Sequence, residues 1–394
     1  MLAKRPSFQV GNSAVAWSPD GRSIASVSSA TRDNATRRAV QIISAASGEV
    51  RDLYAFDAPA RALAWLPDGS GLLVVGTNLQ GARGQIYFVS YPKGEVSRFT
   101  NDLTNYDSCC LDVTRDGRAL VALQNTVQSD LWVAKPDGSD AKQVTSGEPI
   151  GLGLDWVGNK ILASGLRGQW SLLNSDGSGM APFLDDREPH LQVSACGDGK
   201  HVVYTTYRQG AFEIWRTDPD GSNPKKLVPA VTALRAGGCA PDSQSVMYLN
   251  DRGVWRVPIE GGTPEKVDLP LAEQGFSPDG KLHFYFSQRV ENGNWRGKLI
   301  VDTSDTHKQL AEFDVPYGMS NPRFTPDGKA LAFLLTRKGA TNIWMQRLTG
   351  GDPVPLTNFP SGDMFTFAWS KDGKQLAVSR GRLKSDVVMM SNFR

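Results

Sequence analysis

Apolar residues along this chain fall in short runs, rich in β-branched and aromatic side chains, and many runs are punctuated by Pro, Asp or Gly. No stretch carries an apolar period of 3.6 residues, so the pattern predicts strands rather than helices. The last repeat shows the form. An apolar run at 365–369 meets Lys371-Asp372-Gly373, a second run follows at 376–379, and a third spans 387–390. Pro or Lys before Asp-Gly is turn chemistry: Pro presets φ, Asp caps the bend through its carboxylate, and Gly accepts a positive φ without steric cost.

The same words recur from end to end, as in "VAWSPDGRSIASVS", "LAWLPDGSGLLVVG", "RFTPDGKALAFLL" and "FAWSKDGKQLAVSR". The turn anchors are Asp20, Asp68, Asp116, Gly158, Asp198, Asp242, Asp279, Asp327 and Asp372, spaced 37 to 48 residues apart. A second hairpin word follows in many units, such as "VAKPDGSDAKQVT" at 133–145 and "RTDPDGSNPKKLV" at 216–228. Two hairpins per unit make a four-stranded meander, and a period of roughly 40–45 residues is that of propeller blades.

The expectation is therefore an all-β fold: a single β-propeller of four-stranded antiparallel blades over residues 1–394 in nine repeat units. Those units begin near 11, 59, 107, 150, 190, 231, 271, 318 and 363. Units four ("GNK") and six ("PDSQS") have the weakest turns, which leaves eight blades as the alternative. Unit nine ends one strand short, and residues 7–10 are expected to complete it by pairing with the strand around 387–390. Trp17, Trp65, Trp156 and Trp369 on first strands, and Trp132, Trp215, Trp255 and Trp344 on third strands, follow the repeat. Placement by repeat implies packing of blade on blade.

With these words in place, the chain resembles the TolB-like, PD40 (WD40-like) propeller repeats of bacteria. "FSPDGK" at 276–281, "FTPDGK" at 324–329 and "TGGDPVPLT" at 349–357 carry the likeness over essentially the whole chain. The ending "FAWSKDGKQLAVSRGRLKSDVVMMSNF" is similar to the propellers that end bacterial eukaryotic-like Ser/Thr kinases and some winged-helix regulators. The resemblance implies a non-catalytic sensor or scaffold, part of a larger signalling protein and fused downstream of a kinase or DNA-binding domain. It implies a protein partner or small ligand at one propeller face. Compartment follows the parent: outside the cytoplasm in a membrane kinase, inside it otherwise.

Composition narrows the chemistry. A net charge of +2 over 394 residues gives no field that calls for nucleic acid. No run of 18 apolar residues offers a membrane span, and the start lacks the apolar core of a signal peptide, so the chain is either cytosolic or a piece of something larger. Cys109 and Cys110 are neighbours, which suits neither a zinc site nor a disulfide framework, and with Cys196 and Cys239 they read as small buried residues.

No Gly-x-Ser-x-Gly elbow occurs; "GMSNP" at 318–322 fails at its last position. The four His (His190, His201, His283, His307) form no zinc spacing, although His190 opens a first strand and could face a channel. The Asp-rich words lack the alternating ligands and closing Glu of a calcium loop. No catalytic residue, metal or cofactor is expected, and no enzymatic activity. The rival is a lyase- or hydrolase-type site in the channel, which a charged cluster there would favour. Two polar loops stand out as interaction candidates: 28–40 with Arg32, Arg37 and Arg38, and 287–298 with Arg289, Trp295 and Arg296. Asp20, Asp68, Asp116, Asp198, Asp279, Asp327 and Asp372 are assigned to structure, as blade turns.

Overall fold

The structure is a computed structural model describing residues 15–32, 35–56, 60–78, 81–102, 104–147, 150–165, 168–184, 190–208, 211–231, 234, 236–250, 252–270, 274–291, 294–391 and 393. Among them there is no helix; strands and tight turns account for the ordered backbone. Among the described residues no helix is long and apolar enough to cross a membrane.

The repeat word folds as its residues dictate. The Asp372 carboxylate accepts the Ser370 hydroxyl at 2.6 Å and the Lys374 N–H at 3.1 Å, while Ser370 Oγ accepts the Gln375 N–H at 2.9 Å. Gly373 closes the bend at φ +69°. The same network recurs at Asp20, Asp116, Asp279 and Asp327, each fed by a Ser or Thr two residues earlier. Asp68 and Asp198 follow Leu66 and Cys196 instead, and keep the bond from the N–H two residues on.

Among the described residues nine such hairpins are distributed over eight antiparallel sheets, seven of them four-stranded meanders. The third and ninth hairpins share the remaining sheet, because each ends in a strand of 16 residues: Ala119–Ala134 and Leu376–Ser391. Unit nine was expected to break between 379 and 387; Ser-Arg-Gly-Arg at 379–382 continues as strand instead. The hydrogen-bonded neighbours of Leu376–Ser391 are Asp363–Trp369 and Ala119–Ala134. Residues 7–10, the expected partner, lie outside the described residues.

The chain forms two compact units. The first comprises Met1–Val127 and Leu383–Arg394. Its described part stacks the sheet that begins at Val15–Trp17 on the sheet that begins at Ala60–Trp65, through Val27, Val40, Leu63 and Leu72. The second of these sheets packs in turn on Tyr106–Val113 and its neighbours through Leu73, Ile86, Leu120 and Val388.

The second unit, Gln128–Arg382, holds six sheets in a cycle. Their first strands are Ile150–Val157, His190–Ala195, Ala236–Cys239, Gln274–Phe276, Ser320–Phe324 and Asp363–Trp369. Each interface has its own core. Leu162 and Val202 meet between the first pair, Val203 and Val246 between the second, and Phe284 and Phe324 between the fourth. Pro241 lies against Gly280 at the third. Leu334 and Phe367 join the fifth pair, and Trp156 with Ala368 closes the cycle. The closing sheet takes two strands from each end of the unit, in the order Asp363–Trp369, Leu376–Ser391, Ala119–Ala134, Lys142–Gln143.

Outer turns set the spacing between sheets. At Gly177 (φ +87°) and Gly221 (φ +88°) an added Cβ would collide with the backbone carbonyls of Val144 and Phe183 in the preceding sheets. Trp65 and Trp156 pack as the repeat implies, their indole N–H groups donating to the Ala16 and Ala368 carbonyls of neighbouring sheets at 3.1 and 3.0 Å. Trp17 is 57% exposed.

Candidate functional site

In the second unit each first strand pairs along one edge with the second strand of its sheet, and most first strands lie against that of an adjacent sheet. Their other edges surround the axis. A cavity of about 350 Å³ opens there, at the end where the Asp-Gly turns sit, lined among others by Ala195, Gly237, Gly238, Gly275, Tyr248 and Lys371. The two glycines of Ala236–Cys239 and Gly275 of Gln274–Phe276 leave main chain, not side chains, facing it.

Three charged residues converge on this axis from different sheets. Asp155 accepts the Ala195 N–H at 2.9 Å and the Trp156 N–H at 2.8 Å, so both carboxylate oxygens are engaged. Lys371 Nζ lies 3.6 Å from the Asp155 carboxylate and donates to the Ala195 carbonyl at 3.2 Å. Arg323 extends along the next sheet, its guanidinium 5.3 Å above the Phe367 ring, and donates to Asn321 Oδ1 at 3.3 Å. Asn321, held at φ +56°, is itself anchored by donating to Thr366 Oγ1 at 2.9 Å. Loss of hydration pulls the Arg323 pKa below the usual arginine range, opposed by the Asp155 charge. Among the described residues no carboxylate is close enough to form an ion pair with Arg323.

None of these three was singled out from the sequence, although a signal existed. Asp155 and Arg323 hold one repeat position, just before the residue that ends or nearly ends the first strand. In the other four sheets of the unit that position is Ser194, Gly238, Gly275 and Ala368. A small residue is what the architecture asks for, and two units depart from it. Lys371 likewise stands where several other units place Pro: Pro241, Pro278 and Pro326.

The residues that were singled out lie elsewhere. The two supposed loops are strands: Arg32 pairs with Ala35, and Arg37 and Arg38 with Ala30 and Ser29, in one hairpin. Arg289 pairs with Arg296, and Val290 with Trp295, in the other. Alternation of polar and β-forming residues on both sides of each bend extends the ladder where a solvated loop was expected. The side chains of these six residues lie outside the described residues. His190 is buried edge-on against Tyr204, its carbonyl taking the Trp170 indole N–H at 3.0 Å. His283 is fully buried between Phe276 and Tyr285, and burial, with the nearby His307 charge, lowers its pKa to about 4. Among the described residues no group of three or more His, Cys, Asp or Glu is placed to hold a metal.

The cysteine reading is corrected. Cys196, just past the first strand His190–Ala195, and Cys239, at the end of the next first strand, form a disulfide beside the axial cavity, and Cys109 and Cys110 are exposed and bonded to each other. The separation of 43 residues between Cys196 and Cys239, close to one repeat, was the available signal.

No family model matches the chain. It is 28% identical over 160 residues to uncharacterized protein Atu1656 of Agrobacterium fabrum, covering 36% of this chain and 50% of that protein. It is 25% identical over 114 residues to the uncharacterized peptidase YuxL of Bacillus subtilis, covering 28% and 17%. Dipeptidyl-peptidase 5 of Porphyromonas endodontalis is 22% identical over 252 residues, covering 56% and 34%. The chain thus spans half or less of the length of these relatives.

Similar solved structures include TolB from Acinetobacter baumannii (TM-score 0.33, 13% identity, 95% of this chain and 65% of that one). The tricorn protease (TM-score 0.37, 12%, 90% and 50%) and the C-terminal WD40 domain of Sif2 (TM-score 0.35, 11%, 82% and 96%) are others. The chain is a β-propeller protein. The expectation that it has no enzymatic activity is corrected, since two of the relatives in sequence carry peptidase names.

Proposed function

We propose that this chain is the ligand-binding propeller of a longer protein, with an extended peptide bound on the axis of the second unit. The observation that carries the reading is the glycine-walled cavity. Strand Ala236–Cys239 pairs with Ser245–Asn250 on one edge, and its other edge presents N–H and C=O groups to the axis with no side chain at Gly237 or Gly238 to obstruct them. An exposed strand edge of this kind is what a peptide main chain pairs with. The cavity's volume falls within the ordinary range for ligand sites, roughly 300–1,000 Å³. Peptide hydrolysis, suggested by the names of the relatives, is proposed for the longer protein, to which this part supplies binding. Sensing or partner recognition at a propeller face is compatible with the same architecture.

The test is affinity selection from a mixed peptide pool, followed by calorimetry with the selected peptides. Gly237→Leu adds bulk to the wall from a position where a Cβ meets nothing nearer than the Tyr248 Cβ, at 3.6 Å, and the backbone is unstrained. Selected peptides are expected to bind the native chain and to bind the variant at least about tenfold more weakly, a loss near 1.4 kcal/mol, with near-ultraviolet circular dichroism unchanged. Equal binding by both would refute the axial site.

A further inference from the structure

The axial reading leaves open what recognises the ligand's charge. Asp155, the carboxylate acting on Arg323, is already engaged by two N–H groups and by Lys371. Lys371 is shared between that carboxylate, at 3.6 Å, and a neutral carbonyl. Arg323 has one long hydrogen bond to an amide oxygen and an aromatic face beneath it. Two cations and one carboxylate therefore meet on the axis, with most guanidinium donors uncommitted.

A desolvated, unpaired cation is costly, and packing alone does not call for one: four other sheets manage with Ser, Gly or Ala at the Arg323 position. The guanidinium is also held in place. Phe367 supports its plane, and Asn321, fixed by Thr366, receives one of its donors. Such a rigid fork matches the two oxygens of a carboxylate.

We infer that Arg323, assisted by Lys371, forms a carboxylate subsite on the axis of the second unit. In the proposed peptide complex, on which this inference rests in part, the group bound is the peptide's terminal carboxylate. Lys371 lines the same cavity as Gly237 and Gly238, so a chain paired along Ala236–Cys239 would end or begin near it.

The experiment uses the full chain and three probes: succinate, a selected peptide with a free C-terminus, and the same peptide amidated. Succinate is expected to raise the unfolding temperature of the native chain but not of Arg323→Met. The free-acid peptide is expected to bind about tenfold more tightly than its amide to the native chain, and equally to Arg323→Met. Should Arg323→Met fail to fold, Lys371→Met with the same pair of peptides must narrow that ratio. Free and amidated peptides binding the native chain equally would overturn the subsite while leaving the peptide reading standing. Protection by succinate that is lost in Arg323→Met, with no peptide bound at all, would keep the subsite and remove the peptide reading. Protection by succinate that survives in both variants would overturn the subsite.

Discussion

Asp372 draws its importance from the two hydrogen bonds that its Oδ1 accepts, not from chemistry. The hydrogen bond from the Ser370 hydroxyl, then the one from the Lys374 N–H, holds its carboxyl below the ordinary carboxylate range. The Ser or Thr hydroxyls do the same first for Asp20, Asp116, Asp279 and Asp327. A depressed carboxylate favours the folded state wherever the unfolded chain is ionised, above an ordinary pKa of about 4. That contribution is lost as pH falls through the lower, folded value. The unfolding temperature is therefore expected to begin to fall below about pH 6.5, where the unfolded chain protonates His283 and the folded chain does not, and to drop more steeply below about pH 4, where the turn carboxylates are lost. Replacing Asp327 and Asp372 together by Asn should lower stability at neutral pH and flatten the acid limb. An acid limb as steep as the native one would contradict this account.

These turns were legible because each is local: the six residues from Ser370 to Gln375 contain every atom that closes their bend. The axial residues were not, because Asp155 and Lys371 lie more than half the chain apart and meet only when six sheets close. The departure of Arg323 and Asp155 from small residues at one repeat position could be read. Its consequence could not, since which edge of a first strand faces the axis is a property of the ring.

At the scale of elements, the sheets are held apart by glycines and tied by one covalent bond. Gly177 and Gly221 combine positive φ with backbone contact to the preceding sheet, so Ala at either position strains the turn and pushes neighbours apart. Each is expected to cost more than the ~1 kcal/mol of an ordinary backbone mismatch, measured by denaturant unfolding. The Gly179→Ala change, where a Cβ would meet only the flexible Asn174 side chain, should cost less. Disulfide Cys196–Cys239 joins adjacent first strands, and replacing both Cys by Ser is expected to lower stability by about 2–4 kcal/mol. An unchanged unfolding midpoint would show that the bond does not constrain the unfolded chain.

Element identity was legible almost everywhere from short apolar runs and turn words. Element length was not. The strands Ala119–Ala134 and Leu376–Ser391 run through stretches that lack apolar alternation, such as 379–386, because pairing with a long neighbour supplies the order that local sequence does not. The same reason turned two expected loops into hairpin strands.

For the whole molecule, the second unit closes only when its last first strand meets Ile150–Val157. Trp156 is fully buried at that seam and donates across it to Ala368. Trp156→Ala is expected to cost about 3–5 kcal/mol, as large core truncations do, and to lower the cooperativity of unfolding. Trp17→Ala, on an exposed side chain, should change stability little.

The repeat made a propeller readable before any coordinates, while the grouping of nine hairpins into eight sheets depends on two strands whose reach only tertiary pairing sets. The central claim, that the axis of the second unit is where ligand binds, is tested most directly by photocrosslinking a selected peptide to the full chain and mapping adducts by mass spectrometry. Adducts are predicted at Ala195, Gly197, 237–240, 275–278 and Lys371, which line one cavity from four sheets. Adducts confined to outer hairpins, with none at these positions, would contradict it.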